Sequence, residues 1–136
     1  MVKSNRISPV NIISLKPNEV FVFGSNMAGR HGKGAAKEAL KFGAIYGKGY
    51  GIQGQSYAIP TKDMNLLPLD VSIIQRYVDD FIEFASLNYN YNFLVTKIGC
   101  GLAGFNTITI APLFNRAYDI KNIYLPKEFA DIIEEI

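Results

Sequence analysis

Residues 20–40 read VFVFGSNMAGRHGKGAAKEAL, and this stretch decides the fold. It opens on the apolar residues 20–23, a continuous run of strand formers that favours a β-strand covered on both faces. The chain must turn at residues 24–26. Residues 34–42 then carry their apolar side chains near helical spacing, and Gly43 is a natural stop. The stretch therefore predicts a strand, a glycine-rich loop and a helix in direct succession.

The rest of the chain continues the alternation of strands and helices. We predict further strands at 7–15, 56–60, 93–98 and 122–125, and helices at 71–87, at 108–118 and from Pro126 onward. Residues 47–55 contain too much glycine for regular structure and are predicted to form a loop. The alternation is typical of an α/β sandwich with a mostly parallel sheet and helices on both faces. A chain of 136 residues makes one such domain, 1–136.

Composition and charge exclude several classes of protein. The hydrophobic content of 49% and the charged content of 19% are globular values, which argues against a disordered chain. One cysteine and one histidine exclude an internal disulfide framework and a multi-Cys or multi-His metal site, so we expect no metal. No apolar run reaches about 18 residues, and the first 15 residues hold no signal-peptide core. We therefore expect a cytoplasmic protein that does not contact a membrane.

The twelve glycines form two clusters, nine between Gly24 and Gly54 and three from Gly99 to Gly104. Glycine has a high entropic cost in regular elements, so such clusters indicate sharp turns or a close approach of the backbone to another group. Both clusters follow predicted strands, and ligands of open α/β sheets bind outside the carboxyl ends of the strands. Residues 24–62 also carry six basic side chains and one acid, which points to an anionic ligand.

The first glycine cluster is a phosphate cradle in general terms only. It leads into a predicted helix, whose first N–H groups form an anion site. Gly29, Gly32 and Gly34 do not have the spacing of a dinucleotide-binding motif, and the Gly-Lys pair is followed by glycine instead of Ser or Thr. A conventional dinucleotide or triphosphate site is therefore not expected, and we expect no bound cofactor.

Two segments resemble the macrodomain family. VFGSNMAGRHGKGAAKEAL, from residue 22, is similar to the macrodomain strand that ends in Asn and enters a glycine-rich loop, and TKIGCGLAGF, from residue 96, is similar to the second macrodomain loop. A closer resemblance, carried by residues 26–36, 54–63 and 98–104, is to a family of phage-associated proteins of unassigned function. The macrodomain resemblance implies a three-layer α/β/α sandwich that binds ADP-ribose or a related NAD-derived nucleotide. A phage-encoded member would act in the cytoplasm of its host.

The macrodomain resemblance also implies roles for individual residues. Asn26 would reach the distal ribose, and the backbone at Gly32 and Gly34 would line the diphosphate. Residues 99–104 would close over it from the other side, with Phe105 packed on the distal ribose or the base. The predicted ligand-binding residues are Gly24, Ser25, Asn26, Gly29, His31, Gly32, Gly34, Gly99, Cys100, Gly101, Leu102, Ala103, Gly104 and Phe105. Residues 14–17 lack the acid with which macrodomains hold adenine, so a different base or a nicotinamide-derived fragment is an alternative.

Three residues are candidates for catalysis. Asn26 would orient the ribose, and His31 or Asp63 would activate a water molecule. Asn26 can instead cap the turn after its strand, and Asp63 can belong to an ordinary solvated turn. His31 lies in the glycine-rich loop, so we do not expect it in the core. Cys100 is interpreted as a small buried side chain, and a nucleophile paired with His31 is the alternative.

Three functions are compatible with these residues. The first is a binding module for an ADP-ribose-like nucleotide, alone or attached to a macromolecule, in which Tyr46, Tyr50 or Tyr57 stacks on the base. The second is a hydrolase at the same site, which removes ADP-ribose from a macromolecule by cleaving an N- or O-glycosidic bond, or cleaves a nucleotide-derived signal. The third is a nucleic-acid-binding phage protein, which is disfavoured because the basic residues of 30–48 are interleaved with glycines and helix-core alanines. Turnover and oligomeric state stay open.

Overall fold

The structure, a computed structural model, describes residues 6–136 of the chain. Within them the strands are β1 (Glu19–Asn26), β2 (Gly51–Gln53), β3 (Ser56–Lys62), β4 (Asn92–Val95) and β5 (Ile123–Tyr124). The α-helices are α1 (Gly34–Ala39), α2 (Val71–Leu87), α3 (Thr107–Ile110) and α4 (Lys127–Glu134), and short 3-10 helices cover Leu40–Phe42 and Ala111–Ala117. The predicted domain, 1–136, begins in residues that lie outside the described part.

The strands form one mixed sheet in the spatial order β2-β3-β1-β4-β5. β1 pairs in parallel with β3 and with β4, β4 pairs in parallel with β5, and β2 is antiparallel to β3. In this register Val22 lies opposite Tyr57 on one side and Val95 on the other. The predicted α/β class and the mostly parallel sheet are confirmed.

β1 is buried on both sides, as its continuous apolar run predicts. Val20 and Val22 belong to the larger apolar cluster, whereas Phe21 and Phe23 belong to a smaller one. The two pairs separate because neighbouring side chains of a strand point to opposite faces of the sheet. The larger cluster contains the buried side chains of α2, and the smaller one contains those of α1.

α2 covers the residues predicted for it, 71–87. Its buried side chains recur every three or four residues and are Ile74, Val78, Phe81, Ile82 and Ala85. That spacing places them on one face of the helix, which packs against the sheet, while the polar residues face water. None of the helices within residues 6–136 has the length and apolar character that crossing a membrane requires.

The predicted first strand at 7–15 is wrong. Ile7 forms a single isolated bridge with Leu125, and the side chains of Val10 and Ile13 are 96% and 85% exposed. Pro9 has no N–H group to donate to a ladder, so the pairing that Ile7 begins does not continue through it. Apolar residues alone did not make this segment a strand.

The predicted loop at 47–55 is wrong over three residues. β2 lies within it and pairs with β3 across a two-residue connection, in which Gly54 has a φ of 60°. Tight hairpin connections need this left-handed backbone, which glycine adopts at low cost. Gly54 is one of the glycines that favoured a loop in the prediction, and it lies in the turn next to β2.

The predicted helix at 108–118 is divided between α3 and the following 3-10 helix, with Pro112 in the first turn of the latter.

Candidate functional site

A cleft of about 590 Å³ opens at the carboxyl edge of the sheet, where the neighbouring strands β3, β1 and β4 end. Three loops enclose it: the first loop (27–33) follows β1, the second loop (96–106) follows β4, and the third loop (63–70) follows β3. The lining residues are Gly24, Ser25, Asn26, Arg30, Gly32, Lys33, Gly34, Ala35, Ala36, Tyr46, Thr61, Lys62, Leu66, Thr96, Lys97, Ile98, Gly99, Gly101, Leu102 and Ala103. The structure thus brings the two glycine-rich segments together at one cleft.

Asn26 shapes the first loop with its side chain. Its Nδ2 donates to the carbonyl oxygen of Arg30 at 3.0 Å, and its Oδ1 accepts from the N–H of Arg30 at 2.9 Å. The N–H of Gly29 donates to the Asn26 carbonyl oxygen, which closes the turn. These hydrogen bonds give Asn26 the structural role of a cap. Asn26 is also buried and lines the cleft, and its contact with a ligand stays a prediction.

The first loop lies directly on the backbone of residues 47–49. Gly29 has a φ of 69°, and a Cβ there would overlap the peptide between Gly47 and Lys48. A Cβ on Gly49 would likewise overlap the carbonyl oxygen of Asn26, and the Ser25 hydroxyl donates to the Gly49 carbonyl oxygen. Gly29 is therefore required for packing, and it is not among the residues that line the cleft.

Two glycines of the cleft are required neither by packing nor by backbone geometry. Ideal Cβ atoms on Gly32 and Gly101 would meet no atom within 4 Å, and neither residue has a positive φ. The other ten glycines have a positive φ, a close neighbour, or both. Gly32 lies in the first loop and Gly101 in the second, and both line the cleft.

The second loop starts close to β1. A Cβ on Gly24 would lie 3.3 Å from the nitrogen of Gly99, so the two segments meet at the base of the cleft. Beyond this point Phe105 N–H donates to the Gly99 carbonyl oxygen at 2.8 Å. The N–H groups of residues 101–103 donate to no acceptor within residues 6–136. These N–H groups are available to an anion.

The cleft is lined by cations. Arg30, Lys33, Lys62 and Lys97 line it, and its lining residues include no Asp or Glu. Lys97 Nζ lies 3.0 Å from Glu128 Oε2 on α4, whereas the other three have no ion pair within the described part of the chain. The hydrogen bond to Glu128 raises the pKa of Lys97, and the same bond lowers the pKa of Glu128. Lys97 is therefore a cation with one internal partner.

His31 is completely buried, so the expectation that it avoids the core is wrong. Its Nε2 lies 2.9 Å from the Lys48 carbonyl oxygen, so Nε2 carries a proton and donates to that oxygen. The ring packs edge-on against Phe23 and Tyr46, at centroid distances of 5.4 and 6.3 Å. Phe23 belongs to the smaller apolar cluster, so the imidazole packs against the core. His31 does not line the cleft, and its catalytic role stays a prediction.

The other predicted residues outside the lining are Asp63, Cys100, Gly104 and Phe105. Asp63 Oδ1 accepts from the N–H groups of Asn65 at 2.8 Å and Leu67 at 3.0 Å, so the carboxylate holds the third loop. Cys100 is half-buried, and burial raises the pKa of its thiol. Phe105 packs against the larger apolar cluster.

Eleven lining residues are not among the predicted ligand-binding or catalytic residues: Arg30, Lys33, Ala35, Ala36, Tyr46, Thr61, Lys62, Leu66, Thr96, Lys97 and Ile98. Residues 96–98 immediately precede the second glycine cluster at the end of a predicted strand, so their position was a usable signal. Leu66 carried no such signal, because an apolar residue in a loop is ordinary and its backbone conformation is not readable from sequence.

Comparison of the chain with protein-family models, with curated proteins and with solved structures found no match. Within residues 6–136 no group of three or more His, Cys, Asp or Glu side chains is arranged to hold a metal ion.

Proposed function

We propose that the cleft binds ADP-ribose or a related NAD-derived nucleotide, alone or attached to a macromolecule. The observation that carries the proposal is a cleft lined by four cationic side chains and no acid, between two glycine-rich segments. The proposal includes the macrodomain-like three-layer fold and the cytoplasmic location expected from the sequence.

The charge of the lining supports a phosphate-bearing ligand. Clefts lined by one sign of charge concentrate ligands of the opposite sign, and successive backbone N–H groups form concave anion sites. Arg30 and Lys33 supply the charge from the first loop, and residues 101–103 supply N–H groups from the second. A diphosphate has enough oxygens to use both sides of the cleft at once.

Gly32 and Gly101 support close approach of the ligand to the backbone. A side chain at either position would project into space that the protein itself does not fill. Glycine has an entropic cost, so its use where neither φ nor packing requires it favours a role in admitting another molecule. The cleft volume of about 590 Å³ lies in the range of small-molecule sites, about 300–1,000 Å³.

The lining residues support binding over hydrolysis. They include no carboxylate, imidazole or thiol, the groups that usually act as general base or nucleophile. His31 is fully buried with its Nε2 bonded to the Lys48 carbonyl oxygen, and the Asp63 carboxylate is bonded to the third loop. No observation in the cleft favours the hydrolase or the nucleic-acid binder.

Calorimetric titration with ADP-ribose tests the proposal, with Lys33→Gln and Lys37→Gln as matched variants. Lys33 lines the cleft, whereas Lys37 is exposed one turn later on α1 and does not. Both variants lose one positive charge, so they change the net charge of the protein equally. We expect Lys33→Gln to weaken binding about tenfold, as for loss of a charged hydrogen bond, and Lys37→Gln to change it less than twofold.

Failure of the wild-type chain to bind ADP-ribose would overturn the proposal. Equal weakening of binding by both variants would contradict the assignment of the binding site to the cleft. Incubation with an ADP-ribosylated protein separates the two activities, because a binding module leaves the modification in place. Release of ADP-ribose would establish the hydrolase alternative. A single-stranded oligonucleotide, which we expect not to compete, serves as the polyanion control.

A further inference from the structure

Leu66 has a backbone conformation that leucine rarely adopts. Its φ is 65°, in the left-handed region, and it is the single non-glycine residue with a positive φ within residues 6–136. Such a conformation costs about 1 kcal/mol or more for a bulky residue, and glycine or asparagine would adopt it more readily. Residues held in this way are concentrated at binding and active sites. Leu66 lines the cleft and is 38% exposed.

Asp63 holds the third loop in the shape that Leu66 requires. Its Oδ1 accepts hydrogen bonds from the N–H groups of Asn65 and Leu67, on either side of Leu66. Its own N–H donates to the Leu67 carbonyl oxygen at 2.7 Å, and its carbonyl oxygen accepts from the Leu66 N–H at 3.1 Å. Four hydrogen bonds made by Asp63 thus hold the conformation of residues 64–67.

Tyr46 contributes an aromatic ring to the same cleft. It precedes β2, its side chain is 64% exposed, and it lines the cleft. The edge-on contact with the buried His31 ring supports the tyrosine ring from within the protein. Leu66 and Tyr46 both lie in segments that flank the β2–β3 hairpin, which forms one edge of the sheet.

We propose that Leu66 and Tyr46 form a subsite for the nucleobase of the bound nucleotide, and that Asp63 is the positioning residue that holds Leu66 in it. The inference rests on the proposed function. It divides the cleft in two: the phosphates lie between the first and second loops, above β1 and β4, and the base lies on the β3 side.

The division follows from what each side of the cleft offers. Between the first and second loops the lining is rich in glycine and N–H groups, which suits phosphate oxygens. A nucleobase needs apolar and aromatic surface instead, and stacking on a tyrosine ring is a common way to hold one. Every nucleobase has a π face that can stack on a tyrosine ring, so this subsite does not need the acid that residues 14–17 lack.

AMP and ribose 5-phosphate test the inference, because the two ligands differ only by the base. Their affinities are measured by displacement of ADP-ribose from the wild-type chain and from Leu66→Gly, Tyr46→Ala and Leu67→Ala. Glycine adopts the φ of Leu66 without strain, so Leu66→Gly keeps the fold while it removes the side chain. Leu67 is an exposed neighbour in the same loop that does not line the cleft, which makes it the matched control.

We expect wild type to prefer AMP over ribose 5-phosphate by at least about fivefold, the factor that corresponds to weak stacking on one ring. Leu66→Gly and Tyr46→Ala should each reduce this preference at least about threefold while the affinity for ribose 5-phosphate stays within twofold. Leu67→Ala should keep the preference, and Leu66→Gly should melt at the wild-type temperature or above.

Two variants of Asp63 test its positioning role. Asp63→Asn keeps the Oδ1 acceptor and should keep the preference for AMP, whereas Asp63→Ala loses the acceptor and should reduce the preference as Leu66→Gly does. Loss of the preference in both variants would assign the role to the carboxylate charge and overturn positioning through Leu66.

The outcomes separate the inference from the proposed function. Binding of ADP-ribose without a preference for AMP, or with a preference that survives Leu66→Gly and Tyr46→Ala, overturns the inference alone. A wild-type chain that binds none of the three ligands overturns the proposed function and the inference with it.

Discussion

Single side chains hold the loops of this protein by hydrogen bonds to backbone groups a few residues away. Asn26 bonds both backbone groups of Arg30. Asp63 bonds the N–H groups on either side of Leu66. The buried Gln53 accepts from the Ile45 N–H at 2.7 Å and donates to the Lys48 carbonyl oxygen at 2.8 Å. Substitution of any of these polar residues therefore changes the shape of a loop before it changes any chemistry.

The raised pKa of Tyr57 predicts that the protein loses stability at alkaline pH. Burial, with a smaller contribution from the Asp80 charge, raises the pKa of Tyr57 from 10.0 to about 12. The folded chain therefore keeps this proton between pH 10 and 12 while the unfolded chain loses it, so the stabilisation is present below pH 10 and is lost as the pH rises. Urea unfolding should show a steeper fall over this range for wild type than for Tyr57→Phe.

Tyr89→Phe is the control for this pH dependence, because Tyr89 is exposed. It should follow the wild-type profile. Equal slopes for wild type and Tyr57→Phe would show that the hydroxyl of Tyr57 does not contribute.

At the scale of the element, the first loop and residues 47–49 form one unit of backbone packed on backbone. The N–H of Gly47 donates to the Gly29 carbonyl oxygen at 2.7 Å, and the His31 side chain bonds the Lys48 carbonyl oxygen at 2.9 Å. Such packing leaves no room for a Cβ at Gly29 or Gly49, although Gly32, a few residues along, has open space. Glycines of one loop thus have two different roles.

Alanine at Gly29 and at Gly32 should separate these two roles. Gly29→Ala combines a positive φ with an overlap against the Gly47 peptide, so it should reduce the free energy of unfolding by about 1–3 kcal/mol. Gly32→Ala should leave the free energy of unfolding within about 0.5 kcal/mol of wild type, or raise it slightly because alanine reduces the conformational entropy of the unfolded chain. The same substitution should weaken ADP-ribose binding. Urea unfolding and calorimetric titration measure the two effects, and a Gly29→Ala chain as stable as wild type would contradict the packing role.

At the scale of the molecule, the two apolar clusters differ greatly in size. The larger one joins α2, α4 and the second 3-10 helix to the sheet and is rich in phenylalanine. The smaller one consists of Phe21, Phe23, Ala36, Ala39, Ala44 and Ala58, so alanine dominates it. Burial of an alanine removes little apolar surface from water, so we expect the α1 side to have the weaker local stability.

Hydrogen exchange should report this difference. We expect the amides of α1 to exchange faster than those of α2 in the unliganded chain, because local opening of α1 exposes less apolar surface. Saturation with ADP-ribose should slow exchange in α1 and in the second loop, which border the cleft. Mass spectrometry of the labelled peptides measures both effects. Uniform protection of α1 and α2 would contradict the first expectation, and unchanged exchange on saturation would contradict the second.

Much of the fold was predictable because burial leaves a periodic pattern. The helical spacing of α2 and the apolar run of β1 each identified an element that the structure confirms. The segment at 7–15 has similar residues, yet it has no neighbouring strand with which to pair beyond Ile7. β2 has only three residues, and its identity depends on the antiparallel partner β3 and not on its own composition. Strand pairing depends on two segments, so the sequence of one segment alone does not reveal it.

The candidate site was predictable in its location and less so in its side chains. Glycines mark turns, so the two clusters identified the strand ends that border the cleft. The burial of His31 depends on a contact with Lys48, seventeen positions along the chain, which no local pattern reveals. Leu66 depends on a left-handed backbone held by Asp63, and its place in the cleft follows from that geometry.

The buried His31 gives the protein a built-in spectroscopic probe. The chain contains one histidine, and its ring touches Tyr46, which lines the cleft, while its Nε2 bonds the Lys48 carbonyl oxygen. We therefore expect its imidazole protons to give a single set of NMR signals, shifted by the ring currents of Phe23 and Tyr46. Movement of the tyrosine ring when the cleft fills would change those shifts directly. We therefore expect that occupancy of the cleft can be followed at one side chain without altering the sequence.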